Sequence, residues 1–252
     1  IDKVVAISQP LAQEAISFGF PPDKVTVIYS SVPTDVFKPL QTEKHLLRRS
    51  LGLSEDAFIF LFAGRLVEEK GVDLLLNAWE ELAEEFKDLA ETPKLVLIGN
   101  ISNEGNTAEI LKRAVEQYPS VIYRGVISEQ SEVARYYQAA DLLVYPSFHR
   151  EGLALSVVEA MSTGLPVLTT NWAATETGMK DLVIPGKTGF VFAGNSPSSL
   201  AKQLSFICRE EASIHAFGEN ARAHVLSLGV DDRIAARKYL DVYKELLGDK
   251  SI

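Results

Sequence analysis

Short, wholly apolar runs alternate with amphipathic helical patterns along most of the chain. Between the runs, apolar residues recur at three- and four-residue steps, most clearly from Val72 to Phe86, which predicts helices with one buried face. Strands that are apolar throughout and are each followed by a helix indicate a parallel sheet covered on both faces. The pattern therefore predicts a doubly wound, Rossmann-like α/β fold. The runs lie at 59–62, 95–98, 121–123, 142–145, 166–169 and 190–192, the third being short enough for an edge strand.

Further helices are predicted between and after these runs. The last sixty residues have a continuous helical pattern, and Asp231 is a suitable N-cap for the final helix. The expected helices lie at 110–118, 153–163, 175–182, 198–208, 215–228 and 232–247.

The first forty residues differ in kind from the rest. They contain a strand, a helix near 11–18, a second strand at 25–29 and a turn-rich linker with Pro33 and Pro39. Two strands and one helix cannot cover both faces of a sheet. We therefore expect residues 1–38 to be the remnant of a partner domain and residues 39–252 to form the main domain. The chain also starts at Ile1, inside an apolar run, as expected of a piece of a longer protein.

Composition excludes several classes of function. The net charge of −9 argues against nonspecific binding to nucleic acid or anionic membranes, which requires clustered Lys and Arg. The apolar runs are strand-sized and no signal peptide is evident, so we expect a cytoplasmic protein. Cys208 is the only cysteine, which leaves no intrachain disulfide and no cysteine-based zinc site. No cluster of metal-ligand residues is apparent, and we expect no bound metal.

Four charged residues are the main candidates for a functional site. Arg65 and Lys70 follow the run at 59–62 in a segment that also contains Gly64 and Gly71, whereas Glu151 and Glu159 follow the run at 142–145. Because the carboxyl ends of parallel strands meet at one edge of a sheet, we expect all four to converge there. Two fixed cations and a helix N-terminus are suited to a diphosphate.

Each of these residues also has a plainer interpretation. The segment 64–71 fits an ordinary solvated loop. Ser156 and Glu159 have the spacing of a capping box, and Glu151 has Arg150 beside it as a surface partner. His149 lies in the same loop, but a single loop histidine is weak evidence for acid–base catalysis. The glycine-rich fingerprints of dinucleotide oxidoreductases and nucleotide triphosphatases and the serine hydrolase elbow are absent.

Taken in order, these segments resemble the retaining glycosyltransferases of family 4, the group 1 glycosyl transferases with the two-domain GT-B architecture. The most specific element is the pair of spacings Arg-x4-Lys and Glu-x7-Glu, about eighty residues apart. The resemblance covers nearly the whole chain and identifies it as the C-terminal, donor-binding domain. The matching segments are 3–8, 27–39, 62–65, 70–71, 151–159, 164–167 and 186–189.

The resemblance implies a role for each site residue. Arg65 and Lys70 would hold the donor diphosphate. Glu159 would accept hydrogen bonds from the ribose hydroxyls, and Glu151 would contact the donor sugar near the reacting carbon. The remaining implied donor-binding positions are Gly64, the amides of Leu153 and Ala154 at the sugar, those of Leu155 and Ser156 at the phosphates, and Gly125, Val126 and Ile127 along the base. Ala154 departs from the usual glycine.

The resemblance also implies a reaction and its partners. The expected activity is retaining, metal-independent transfer of a sugar from a nucleotide sugar, such as a UDP-, GDP- or ADP-sugar, to a carbohydrate or lipid-linked acceptor. The missing N-terminal domain would supply acceptor contacts, so we expect this chain to bind the donor weakly without turnover. The alternative is a non-catalytic nucleotide-sugar-binding or assembly module. Unpaired strand edges would favour a domain-swapped dimer through residues 1–38.

Overall fold

A six-stranded parallel sheet with helices on both faces forms the centre of the molecule. The structure, a computed structural model, describes residues 1–86, 91–102 and 105–248. The strands of this sheet follow the order β5-β4-β3-β6-β7-β8, and every pairing is parallel. The predicted doubly wound α/β fold is confirmed, and 121–123 is an edge strand.

The strands are β1 (Val4–Ala6), β2 (Val25–Val27), β3 (Ile59–Ala63), β4 (Lys94–Ile98), β5 (Val121–Tyr123), β6 (Leu142–Tyr145), β7 (Val167–Thr170) and β8 (Gly189–Phe192). The helices are α1 (Gln9–Ser17), α2 (Lys44–Ser50), α3 (Val72–Phe86), α4 (Thr107–Gln117), α5 (Gln130–Ala139), α6 (Leu155–Ser162), α7 (Asn171–Glu176), α8 (Pro197–Arg209), α9 (Glu211–Ser227) and α10 (Asp232–Leu247). Short 3-10 turns lie at Pro22–Lys24, Glu68–Lys70 and Gly178–Asp181. None of the described helices has the length and apolar character needed to cross a bilayer.

The sheet is apolar on both faces because each face has its own core. Along β3, Ile59 and Leu61 point into one cluster of buried side chains, whereas Phe60 and Phe62 point into the other, as the alternation of side chains along a strand requires. Trp79 of α3 is only 1% exposed and packs edge-on against Phe60. Such two-sided burial explains the uninterrupted apolar runs in the sequence.

Two helical regions differ from the sequence-based expectation. The helix predicted at 175–182 is instead α7, which ends at Glu176, followed by the 3-10 turn Gly178–Asp181. Two threonine hydroxyls cause the break: Thr170 accepts from the amide of Ala173, and Thr177 accepts from the amide of Met179. Each capped amide begins a new turn. The helices α2 and α5 were not predicted. On α7, Trp172 is 38% exposed.

Residues 1–38 form a separate two-stranded parallel sheet, β1-β2, with α1 packed on it. Asp181 connects this segment to the rest of the chain by two hydrogen bonds. Its Oδ2 accepts from the Gln9 amide at 2.6 Å and from the Tyr29 hydroxyl at 3.2 Å. Phe37 is fully buried and lies edge-on to Tyr137, with 6.0 Å between the ring centroids. Segment 1–38 therefore shares core contacts with the main sheet.

The predicted N-cap of α10, Asp231, is confirmed, since its carboxylate accepts from the Arg233 amide.

Candidate functional site

The loops that follow β3 and β6 lie against each other at the carboxyl edge of the sheet. The backbone of Gly71 adopts φ +75°, and a Cβ at this position would lie 2.1 Å from the Pro146 carbonyl oxygen. Only glycine permits both the positive φ and this approach. The amides of Phe148 and His149 donate to the Glu69 carbonyl at 3.1 and 3.2 Å. The sequence thus places the end of one loop directly beside the start of the other.

Lys70 and Glu151 form an ion pair at this junction. The side chains are each 12% exposed. The Tyr145 hydroxyl donates to Glu151 Oε1 at 2.8 Å and lies 3.4 Å from Lys70 Nζ. Burial, followed by the charge of Glu151, raises the pKa of the Tyr145 hydroxyl, so it remains a donor at neutral pH. The expectation that Glu151 pairs with Arg150 is wrong, because the Arg150 guanidinium lies 3.0 Å from Glu14.

Glu159 lies on α6 and receives a hydrogen bond from the buried Tyr137 hydroxyl, with 2.9 Å between the Tyr137 oxygen and Glu159 Oε2. Burial raises the pKa of the Glu159 carboxyl, and the hydrogen bond from Tyr137 opposes that rise. The capping-box interpretation of Glu159 is wrong. The N-cap of α6 is Ala154, without a side-chain cap, so the helix begins before Ser156 and leaves Glu159 in its second turn.

A cavity of about 180 Å³ lies over Glu159. Gly64 forms part of one wall, and Val126 and Ile127, after the end of β5, form another. Ser156 and Glu159 supply polar groups from α6. The structure therefore brings together five of the predicted donor-binding residues around one partly polar, partly apolar space. Gly125 lies beside it, and its carbonyl accepts from the Gly99 amide at 2.8 Å.

The start of α6 follows Glu151 by four residues and lines this cavity through Ser156. Leu153 and Ala154 have buried side chains, whereas Leu155 is 46% exposed. Leu155 and Ser156 are the first residues of the helix, and amides at such positions have no intrahelical acceptor. They carry the positive end of the helix dipole. These amides can donate to an anion, as the predicted phosphate contacts require.

Arg65 is the one predicted charged residue whose side chain lies apart from the other three. Its guanidinium donates to Glu69 Oε1 at 3.0 Å, and the side chain is 64% exposed. On the other side, Glu69 Oε2 lies 3.5 Å from His149 Nδ1. Arg65 borders a more open cavity of about 300 Å³ with Val67, Glu68, Glu69, Ser102 and Gly105. Lys70 and Glu151 therefore meet directly, Glu159 lies on α6 in the neighbouring cavity, and the Arg65 side chain is more exposed than any of them.

Tyr137 and Tyr145 belong to the site but were not predicted from the sequence. Each hydroxyl donates to one of the two glutamates. The only signal for Tyr145 is its position at the end of β6, six residues before Glu151. Tyr137 lies on a different element from Glu159, so only the tertiary fold brings them together. Among the residues described, no group of three His, Cys, Asp or Glu side chains is arranged to hold a metal ion.

Comparison with known proteins gives consistent matches. Residues 43–224 match the family model described as glycosyl transferases group 1. A D-inositol 3-phosphate glycosyltransferase from Streptomyces bingchenggensis is 31% identical over 250 residues, which are 98% of this chain and 53% of that protein. The chain thus spans about half the length of the curated relatives it matches.

Solved structures share the fold. A glycosyltransferase from Rickettsia africae superposes with a TM-score of 0.81 at 23% identity, covering 99% of this chain and 64% of the other. Anabaena HepE, in complex with UDP and glucose, superposes with a TM-score of 0.77 at 20% identity over 96% of this chain and 63% of the other. At these identities the likeness concerns the fold, which these structures have in common with the present chain.

Proposed function

Since this chain belongs to the group 1 glycosyl transferases, we propose that it is the C-terminal, donor-binding domain of a retaining family 4 enzyme. The donor is a nucleotide sugar, such as a UDP-, GDP- or ADP-sugar, and the acceptor is a hydroxyl of a carbohydrate or lipid-linked compound. The observation that carries the proposal is the placement of Lys70, Glu151 and Glu159 around the start of α6. Known complexes of HepE with UDP and UDP-glucose support a nucleotide-sugar ligand.

The donor lies across the carboxyl edge of the sheet. The base lies along Val126 and Ile127, and the ribose hydroxyls donate to Glu159 in the cavity of about 180 Å³. The diphosphate accepts from the amides of Leu155 and Ser156 and faces Lys70. Glu151 and the amides of Leu153 and Ala154 face the sugar. The order of these groups along the edge matches the order of base, ribose, diphosphate and sugar in the donor.

The chemistry requires positive charge beside the diphosphate. When the bond between the anomeric carbon and the phosphate oxygen breaks, its electron pair remains on the diphosphate. The acceptor oxygen forms the new bond to the anomeric carbon on the same face, and the proton of the acceptor hydroxyl passes to the departing diphosphate. A preorganised donor at such a developing charge is typically worth about 3 kcal/mol. Lys70, Arg65 and the α6 amides supply these donors without a metal ion. Exposed ion pairs contribute only about 0–1 kcal/mol, so Arg65 can leave Glu69 for the phosphate at small cost.

Titration with UDP-, GDP- and ADP-sugars, followed by ligand-observed NMR, tests this proposal. We expect one nucleotide class to bind, and Arg65→Ala and Glu159→Ala to abolish detectable binding. Arg49→Ala is the matched control, because Arg49 is an exposed arginine of α2 that pairs with Glu55. This substitution should leave binding unchanged. We also expect no sugar transfer by residues 1–252 alone, because in the proposed two-domain enzyme the acceptor contacts belong to the N-terminal domain. Indifference of the wild-type chain to every donor would refute the proposal.

A non-catalytic assembly module is the second candidate. In the described part of the chain, β1 and β2 pair only with each other, which leaves strand edges for a partner. This candidate predicts self-association through exchanged segments 1–38 and no effect of nucleotide sugars on it. Light scattering of the chain, with and without each donor, separates the two candidates.

A further inference from the structure

Tyr137 is buried beneath the proposed ribose site, and its hydroxyl makes one hydrogen bond within the part of the chain that the structure describes. It is 1% exposed, and its hydroxyl donates to Glu159 Oε2 at 2.9 Å. The ring of Phe37 lies edge-on to the Tyr137 ring, with 6.0 Å between the centroids. A buried hydroxyl that donates to a single carboxylate fixes the position of that carboxylate, since neither group has a competing partner nearby.

We propose that Tyr137 is a positioning residue for nucleotide binding: its hydroxyl holds the Glu159 carboxylate ionised and directs the remaining oxygen, Oε1, toward the ribose hydroxyls. This inference rests on the proposed donor site and names a residue that sets its affinity. Oε2 is held from below by Tyr137. Within the described residues, Oε1 has no hydrogen-bond partner, so it is available to a ligand in the cavity.

The surroundings of Glu159 explain why this hydroxyl matters. The described residues that line the cavity are, apart from Glu159, uncharged: Ala63, Gly64, Ile98, Gly99, Val126, Ile127, Val133, Tyr137 and Ser156. Thus no cation among them compensates for the buried carboxylate. The Tyr145 hydroxyl also acts electrostatically on Tyr137, and burial raises the pKa of both hydroxyls, so both remain protonated at neutral pH. Burial raises the pKa of Glu159 and the hydrogen bond from Tyr137 lowers it, so Tyr137 is the group that favours the charged form.

Removal of this hydroxyl should therefore shift the pH dependence of binding. In Tyr137→Phe the ring remains but the donor is lost, and the pKa of Glu159 rises further. The carboxylate then protonates at a higher pH and stops accepting from the ribose. A hydrogen bond to a charged group is worth roughly one to two pH units. We expect the pH below which nucleotide affinity falls to move upward by that amount.

The experiment compares wild type, Tyr137→Phe and Tyr136→Phe. Tyr136 is the matched control, because it is the neighbouring buried tyrosine of α5, 8% exposed, and its hydroxyl makes no hydrogen bond within the described residues. Binding of UDP, GDP, ADP and their 2′-deoxy analogues is measured by calorimetry from about pH 5 to pH 8. Inorganic pyrophosphate, which has no ribose, serves as a second ligand for the phosphate groups.

The proposal requires an upward shift for Tyr137→Phe and none for Tyr136→Phe. It also requires a smaller effect of Tyr137→Phe on the 2′-deoxy nucleotides, and none on pyrophosphate. An identical pH profile in wild type and Tyr137→Phe, or an equal loss of pyrophosphate binding, would overturn it while the donor site stands. If wild type binds none of the three nucleotides at any pH, the proposed function fails, and this inference fails with it.

Discussion

Lys70 and Glu151 neutralise each other as an ion pair. The side chains are both 12% exposed, and the Tyr145 hydroxyl bonds to the same Glu151 oxygen. Each ion has lost most of its water, so the pair is stable only while both members are present. In the proposed complex, Lys70 also donates hydrogen bonds to the diphosphate, and Glu151 also accepts hydrogen bonds from the sugar. Donor binding then replaces one set of charge contacts with another.

Replacement of Lys70 by methionine should destabilise the protein. Lys70→Met leaves Glu151 partly buried without a cation, and we expect a loss of about 1–3 kcal/mol in the free energy of unfolding. Lys70→Met/Glu151→Gln should recover part of that loss, because the unpaired charge is gone. Urea denaturation measures both. Lys112→Met is the control, since Lys112 is an exposed residue 4.0 Å from Glu116, and its change should stay within about 0.5 kcal/mol. Equal losses for Lys70→Met and Lys112→Met would contradict the structural role of the pair.

Sequence spacing predicts the charged residues of the candidate site but does not predict their partners. In the sequence, Arg65 has two nearby acidic residues, Glu68 and Glu69. Only the folded loop shows that Glu69 is its partner. Similarly, Ser156 and Glu159 satisfy the spacing of a capping box although the helix starts at Leu155. A shift of the helix start by two residues changes the role of Glu159 from cap to pocket acid. Spacing alone does not fix that start.

Among the elements, α10 begins at an ionisable side-chain cap. Asp231 caps it by accepting from the Arg233 amide at 3.0 Å, and it also accepts from the Thr34 hydroxyl. The hydrogen bonds from Arg233 and Thr34 lower the pKa of Asp231 to about 2. Because this value is below the ordinary one, the stabilisation is present at pH 4 and above and is lost as the pH falls through about 2. The ionised Asp231 carboxylate thus links the start of α10 to Thr34, near the end of segment 1–38.

Asp231→Ala should lower stability at neutral pH by about 1 kcal/mol, the usual cost of a lost N-cap. Asp232→Ala is the matched control, because Asp232 is exposed in the first turn and should cost only a few tenths of a kcal/mol. Thermal unfolding followed by circular dichroism measures the difference. The gap between Asp231→Ala and wild type should narrow as the pH approaches 2. A gap independent of pH would show that the ionised carboxylate is not responsible.

The predictability of each element depends on its buried residues. The central strands and α3 are buried through aliphatic and aromatic side chains at regular steps, so their patterns are clear in the sequence. The buried face of α5 consists of alanines and tyrosines, namely Ala134, Tyr136, Tyr137 and Ala139, which give a weak apolar signal. The break after α7 depends on two threonine caps. Such caps are local and common, and their spacing does not by itself end a helix.

At the scale of the whole molecule, segment 1–38 shares core contacts with the main sheet. Phe37 is fully buried and packs against Tyr137, and the Asp181 carboxylate joins α1 and Tyr29 to the 3-10 turn after α7. Although β1 and β2 form their own sheet, this packing indicates that both parts unfold together. The sequence predicts that residues 1–38 are a remnant of another domain. Such a remnant would also need the Phe37 and Asp181 contacts in order to fold against the main sheet.

Substitution of two phenylalanines in segment 1–38 tests whether this segment and the main sheet unfold together. Phe37→Ala should cost about 3–5 kcal/mol, whereas Phe18→Ala should cost less than about 0.5 kcal/mol, because Phe18 is 76% exposed. Calorimetric unfolding should give a single transition that moves to lower temperature only in Phe37→Ala. Two transitions, with the larger one unaffected by Phe37→Ala, would indicate that residues 1–38 are an independent unit.

The placement of the two tryptophans has a practical consequence. Trp79 is enclosed in the core, whereas Trp172, on α7 directly after β7, is 38% exposed. Intrinsic fluorescence should therefore contain a blue-shifted emission from Trp79 that acrylamide does not reach, and a red-shifted, quenchable emission from Trp172. The protein therefore has one intrinsic fluorescent probe in its interior and another at its surface, and both can be followed at once without an added dye.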